Sequence, residues 1–135
     1  MGLILDTSVL IAAEKQRIDL TAFFLAHASE GFYLAAITAS ELLHGVSRAE
    51  PSARKRARAE FVEDILARVE TIEFDLPVAR RHDDLWAALE KRGQLIGPHD
   101  LLIAATALYY DHGLATLNAE EFTRVPRLRV IVPKA

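Results

Sequence analysis

Cysteine is absent from the chain, so neither a disulfide framework nor a thiolate-held zinc or iron–sulfur site can form. A reducing compartment suits such a chain. Long apolar runs are missing too: none approaches the roughly 18 residues of a membrane span. No basic region precedes an apolar stretch at the N-terminus, and Met1 to Leu5 reads as a first strand instead of a signal peptide. A cytoplasmic protein without membrane contact is the expectation. Excess positive charge is lacking as well; at a net −3 the chain is not cationic as a whole, so any nucleic-acid contact must come from a local basic patch. Aromatic residues are scarce where basic ones gather, which argues against base stacking as the main mode of recognition. Repeats, low-complexity segments and linkers are also absent.

What is present suits one domain, residues 1–135, long enough to bury a real core. Leu3 to Leu5 reads as a short buried strand, with Thr7 and Ser8 capping a helix that runs to about Glu14. Leu20 to Ala28 forms a second helical pattern. Gly31 breaks the chain before a strand from Phe32 to Ile37, and Thr38 to Glu41 opens the next helix. After Pro51-Ser52, Phe61, Ile65, Leu66 and Val69 recur at helical spacing, predicting an amphipathic helix through about Arg68. Val69 to Phe74 reads as a strand. The helix begun by Leu76-Pro77 places Val78, His82, Leu85, Trp86 and Leu89 on one side and ends near Gly93, which makes His82 a packed histidine. Gly97-Pro98-His99 leads into a helix from Leu101 to Asp111, with Gly113 as its stop. Leu114 to Leu117 and Arg129 to Val132 are the last strands. Short apolar strands alternating with helices define an α/β fold with a mostly parallel sheet.

Three carboxylates stand at starts of apolar helical runs: Asp6 in LILDTSVLIAA, Glu41 in LAAITASELLHG and Asp100 in IGPHDLLIAATAL. In parallel α/β sheets such positions cluster at the carboxyl edge, where active sites lie. Two like charges about 4 Å apart repel by roughly 4 kcal/mol at an effective dielectric near 20. A cluster of that kind needs protons or a cation, and hard ions such as Mg²⁺ and Mn²⁺ favour oxygen ligands. Each acid alone has a plainer explanation. Asp6 can cap a helix, Asp100 can answer a helix dipole, and Thr38-x-x-Glu41 matches a capping box.

The surrounding residues add a further argument. Asp6-Thr7-Ser8-Val9-Leu10-Ile11, Ser40-Glu41-Leu42-Leu43-His44-Gly45, Pro98 to Ala107, and Ala115-Thr116-Leu117-Asn118-Ala119-Glu120-Glu121-Phe122 together resemble the PIN-domain nucleases. Within them the likeness is to VapC-type toxins of bacterial and archaeal toxin–antitoxin pairs. It covers essentially the whole chain, with four blocks in the family's order. The resemblance implies a PIN-like fold, a short central sheet flanked by helices. It also implies a metal-dependent endoribonuclease in which Asp6, Glu41 and Asp100 hold Mg²⁺, for which Mn²⁺ can substitute. At the fourth position many members carry an acid, whereas this chain has neutral Asn118, with Glu120 and Glu121 just beyond. Asn118 is read as orienting a water or ligand through its amide. Structured RNA such as transfer or ribosomal RNA, a VapB-type antitoxin and a homodimer follow from the resemblance as partners. So does hydrolysis that leaves a 5′-phosphate and a 3′-hydroxyl.

Thr7, Ser8, Thr38 and Thr116 are candidates for hydrogen bonds that position the carboxylates, with helix capping as the equal alternative. Thr7 and Thr116 are also candidate substrate contacts. No metal-binding histidine spacing occurs, so His44 and His99 are assigned to the surface or the substrate edge. Arg48, Arg54, Lys55, Arg56 and Arg58 form a basic stretch opposed only by Glu50, which Arg80-Arg81 could extend. Beside an acidic nuclease centre, Arg54, Arg56 and Arg58 are candidate phosphate contacts; a solvated helix face is the alternative. Two other readings stand beside the nuclease. A phosphatase of the haloacid-dehalogenase type would need a second aspartate where Ser8 stands. A non-catalytic binding module would use the acids as caps and the Arg-rich helix to meet a partner.

Overall fold

Strand β1 (Gly2–Leu5) is buried along its whole length and forms the centre of the molecule. The computed structural model describes residues 1–134. Around β1 a five-stranded sheet runs in the order β3-β2-β1-β4-β5, with β2 at Gly31–Ala35, β3 at Glu70–Ile72, β4 at Gly113–Ala115 and β5 at Val130–Ile131. Every pairing is parallel, so the sheet is wholly and not just mostly so. The central strands β1 and β4 are apolar and buried on both faces because both faces are covered. Leu3 and Leu5 pack on one side with α1 (Thr7–Glu14), α2 (Leu20–Ala26), α3 (Ala36–Arg48) and α4 (Ser52–Arg68). Ile4 faces the other side, against α5 (Leu76–Lys91), α6 (Pro98–Tyr109) and Phe122 of the short α7 (Ala119–Phe122). That split follows from the two-residue period of a strand.

Several boundaries differ from the sequence expectation, each for a local reason. β2 ends at Ala35 and α3 begins at Ala36, so Ile37 and Thr38 are helical. Thr38 therefore lies inside α3, and the expected Thr38–Glu41 capping box does not exist; its buried Oγ1 has no hydrogen-bond partner among the described residues. For the same reason Glu41 sits in the middle of a helix and not at its start. Helix α6 begins three residues early because Pro98 suits a first helical turn, lacking an N–H that would go unbonded there. It ends at Tyr109, and Asp111 (φ 56°) takes the left-handed conformation expected of Gly113. Gly113 instead opens β4, where a Cβ would meet Leu3 and Arg129 at 2.9 Å. Gly93 (φ +66°) does follow the end of α5 as expected. The outer strands β3 and β5 are shorter than their apolar runs suggested.

Parallel strands bring all their carboxyl ends to one edge. Leu5 leads directly to Asp6, Ala35 to α3, and Ala115 to Thr116. The backbone N–H of Asp6 donates to the carbonyl of Ala115 (2.9 Å), extending the ladder one step to the edge. The loop after β4 thus lies beside the start of α1.

Candidate active site

Asp6 is the buried centre of this edge, with 4% of its surface exposed. It is the N-cap residue of α1, but its side chain makes no capping bond. Its Oδ2 accepts from the hydroxyls of Ser8 and Thr116, both at 2.7 Å. Those hydroxyls accept in turn from the backbone: Ser8 Oγ from Leu117 N–H (3.1 Å) and Thr116 Oγ1 from Asn118 N–H (2.9 Å). Ser8 and Thr116 therefore fix the orientation of Asp6 and tie it to the loop after β4. Oδ1 takes no hydrogen bond among the described residues.

Glu41 reaches the same edge from α3. Its Oε1 accepts from Thr7 Oγ1 (2.6 Å), and its Oε2 lies 3.0 Å from His99 Nδ1. Thr7 and His99, neighbours of Asp6 and Asp100 in sequence, thus link the first and third acids to the second.

Asp100 is half-buried in the first turn of α6. Its carboxyl is pushed up to about 7, first by burial, then by a hydrogen bond shared with Glu121 and by the charges of Glu121, Asp6 and Glu41. Each of these raises the cost of ionising Asp100. The three acids read from the sequence thus influence one another at one site, and a fourth joins them. Glu121, on α7, also accepts from Gly97 N–H (2.5 Å), which binds its loop to the start of α6. Glu120 is exposed. Asn118 is exposed and precedes α7, contributing its backbone N–H to Thr116 while its side chain makes no capping bond. Glu121 was visible in the sequence only as one of two adjacent acids; buried Phe122, which anchors α7 in the core, is the signal that orients them.

The donor set is all oxygen, apart from the imidazole of His99, and carries more negative charge than the site tolerates without protons. That suits a hard divalent cation. Among the described residues no three acidic or histidine side chains, as placed, are spaced to hold one ion between them. The fit is therefore one of charge and donor chemistry.

The basic segment divides. Arg54 and Arg58 line a cleft of about 610 Å³ that begins at Glu41 and His99 and is also lined by His44 and Arg48; Lys55 and Arg56 do not line it. Arg58 is engaged, its Nε donating to Glu14 Oε2 (3.0 Å) and its Nη1 to the Gly45 carbonyl (3.4 Å). His82 packs between Phe74 and Trp86, as a packed histidine should, and burial lowers its pKa. A larger cavity of about 1050 Å³ lies by α2 and the C-terminal segment and shares no residue with the acids.

A parallel sheet whose carboxyl edge gathers acids from the start of α1 and from α3, α6 and α7 defines a class of α/β hydrolytic site. The chain belongs to the PIN-domain family, whose model matches residues 3–128. It is 34% identical over 131 residues to Ribonuclease VapC of Rickettsia bellii, covering 97% of this chain and 96% of that protein. It is 31% identical over 97 residues to the tRNA(fMet)-specific endonuclease VapC of Salmonella typhimurium, covering 72% and 71% of the two chains. Among solved structures, VapBC2 from Rickettsia felis bound to a DNA fragment from its promoter superposes with a TM-score of 0.88 at 28% identity, over 98% of each chain.

Proposed function

We propose that this chain is an endoribonuclease of the VapC kind, the toxin of a toxin–antitoxin pair, dependent on Mg²⁺ with Mn²⁺ as a substitute. The observation that carries the reading is the gathering of Asp6, Glu41, Asp100 and Glu121 at one sheet edge, where burial and then these neighbours push the Asp100 carboxyl up to about 7. Asp6, Glu41 and Asp100 would hold the cation, with Glu121 supplying the fourth negative charge. When bound, such an ion polarises the scissile phosphate and lowers the pKa of a coordinated water.

The chain's own residues prepare that chemistry. Ser8 and Thr116 fix Asp6 through Oδ2, and Thr7 fixes Glu41 through Oε1. These bonds pre-orient carboxylates that would otherwise turn away from one another. Asn118, exposed after β4, would orient a water or the substrate through its amide. The products would carry a 5′-phosphate and a 3′-hydroxyl.

Likeness to an endonuclease named for tRNA(fMet) supports a structured RNA, transfer or ribosomal, as substrate. Likeness to VapBC structures supports a VapB-type antitoxin as partner. An antitoxin arginine could neutralise the carboxylates through paired hydrogen bonds. A homodimer and a cytoplasmic location complete the reading, and no described helix is long and apolar enough to cross a membrane. The test is incubation of the purified chain with total RNA, with Mg²⁺ or with a chelator. Discrete fragments only with Mg²⁺, absent with Asp6→Asn, are expected. Intact RNA under both conditions would remove the nuclease reading.

A further inference from the structure

The cleft that starts at Glu41 and runs away from the other acids is lined by charged side chains that are mainly basic. One wall is a stripe on α3. Glu41, His44, Gly45 and Arg48 recur at three- and four-residue spacing, which puts them on one helix face. The other wall is the first half of α4, where Arg54 and Arg58 are one turn apart. Arg58 fastens the walls together by bonding Glu14 on α1 and the Gly45 carbonyl on α3. Arg48 and Arg54 remain, both exposed, with no ion pair among the described residues. Glu50 also lines the cleft and tempers their charge without pairing either.

A rise of about 1.5 Å per residue puts Arg48 roughly 10 Å along α3 from Glu41. That is too far for Arg48 to share a phosphate with the acids, but suitable for a phosphate further along the same strand. Gly45 keeps the wall low between the two points, in a helix interior where glycine costs stability relative to alanine. Guanidinium groups are well suited to phosphate oxygens because their donors form a rigid fork.

We propose that this cleft is a backbone-phosphate subsite of the active site, in which Arg48 and Arg54, with His44 beside them, hold a phosphate flanking the one to be cut. The inference rests on the ribonuclease reading and deepens it. The useful part of the basic segment is thus Arg48 and Arg54. Lys55 and Arg56, though equally basic, face elsewhere, and Arg58 braces the cleft wall.

The experiment compares two double variants that remove the same charge, Arg48→Ala/Arg54→Ala and Lys55→Ala/Arg56→Ala. Binding of a fluorescent single-stranded RNA is measured by anisotropy across a salt series with chelator present, and cleavage of the same RNA with Mg²⁺. The Arg48/Arg54 variant should bind roughly tenfold more weakly, with its log–log salt slope reduced by about 1.4 for two lost contacts. Its KM should rise while kcat changes little. The Lys55/Arg56 variant should bind within about twofold of wild type. Equal losses in both variants would mean diffuse charge and would overturn the subsite. Unchanged binding by the Arg48/Arg54 variant, with wild type still cutting RNA, would overturn it and leave the nuclease reading intact, assigning the cleft to a protein partner. Wild type that neither binds nor cuts RNA would end both.

Discussion

The two edges of the sheet handle buried charge in opposite ways. At the amino edge His112, just before β4, stacks on Tyr33 (centroids 4.7 Å apart, 7° between planes) with Tyr110 on its other side (5.9 Å, 17°). Its Nδ1 is buried without a partner among the described residues, and burial, followed by the N-terminal ammonium, depresses its pKa. A histidine so placed becomes neutral and behaves as one more flat ring. Nearby, Glu30 and Arg129 pair at 2.7 Å. At the carboxyl edge, among the described residues, only Glu41 has a partner of that kind, the His99 imidazole at 3.0 Å. The acids there are oriented by hydroxyls, and the Asp100 carboxyl is pushed up to about 7, first by burial and then by Glu121, Asp6 and Glu41. The amino edge is completed by the chain's own residues, whereas on the proposed reading the carboxyl edge would be completed by a cation.

The largest expected effect lies at the carboxyl edge. Asp6→Asn and Asp100→Asn should each reduce RNA cleavage by on the order of 10³-fold, as removal of a group that stabilises transition-state charge does. Stability should move the other way for Asp100→Asn. Its folded pKa is raised, so the native state binds more protons than the unfolded chain between the ordinary carboxyl value and about 7. Stability is therefore lost as pH rises through that window, and the loss is complete above it. At pH 8 without metal, Asp100→Asn should melt a few degrees higher than wild type. A lower melting temperature would mean that the site is complete without a cation, and the contrast between the edges would fail.

The next effect is the response to metal. A ligand that binds only the folded state stabilises it by about 2.7 kcal/mol at a hundred times its Kd. Mg²⁺ should thus raise the wild-type melting temperature at pH 8, and a chelator should reverse the gain. Asp100→Asn should lose most of that gain. An equal response from both chains would separate Asp100 from the cation site.

Much of this edge was legible in the sequence, for reasons that can be traced. Asp6 follows a strand too short and apolar to be anything else, and Asp100 follows Gly97-Pro98, which sets a helix start. Strand–helix alternation then places both acids at the same edge. Glu41 is legible through its neighbours, but it lies inside α3 and not at the helix start that they suggest. Nothing local distinguishes Ala36, the true helix start, from Thr38 and Ser40, which prefer capping positions. Glu121 stayed ambiguous beside Glu120 because a four-residue helix has too little periodicity to reveal its direction. The pinning of Arg58 depends on Glu14, 44 positions away, and no spacing rule reaches that far.

A smaller effect belongs to the amino edge. His112 has a lowered folded pKa, so below the ordinary histidine value the unfolded chain binds more protons than the folded one. Its neutral burial is fully tolerated above about 6.5 and costs stability as pH falls below that. His112→Phe keeps a flat ring between Tyr33 and Tyr110 and removes the titration. The melting temperature of wild type should fall more steeply than that of His112→Phe between pH 7 and 5. Parallel curves would show that the imidazole is reached by solvent and charges freely.

The smallest effect should come from the ion pair beside that stack. Glu30 and Arg129 meet at 2.7 Å, and Arg129's hydrogen bond holds the Glu30 carboxyl below its ordinary value. Both side chains are partly open to solvent, with 17% and 40% exposed. Pairs of this kind contribute about 0.2–1 kcal/mol because water and salt screen them. Glu30→Gln keeps the shape of the side chain and should lower stability by no more than that at neutral pH, with the difference shrinking in high salt. Since the folded pKa is depressed, the contribution of the pair is present above the ordinary carboxyl value and lost as pH falls through the folded one. Urea midpoints for Glu30→Gln and wild type should therefore converge at low pH. A loss of several kcal/mol, insensitive to salt, would mean that the amino edge depends on a buried charge after all, and that the two edges differ less than their geometry suggests.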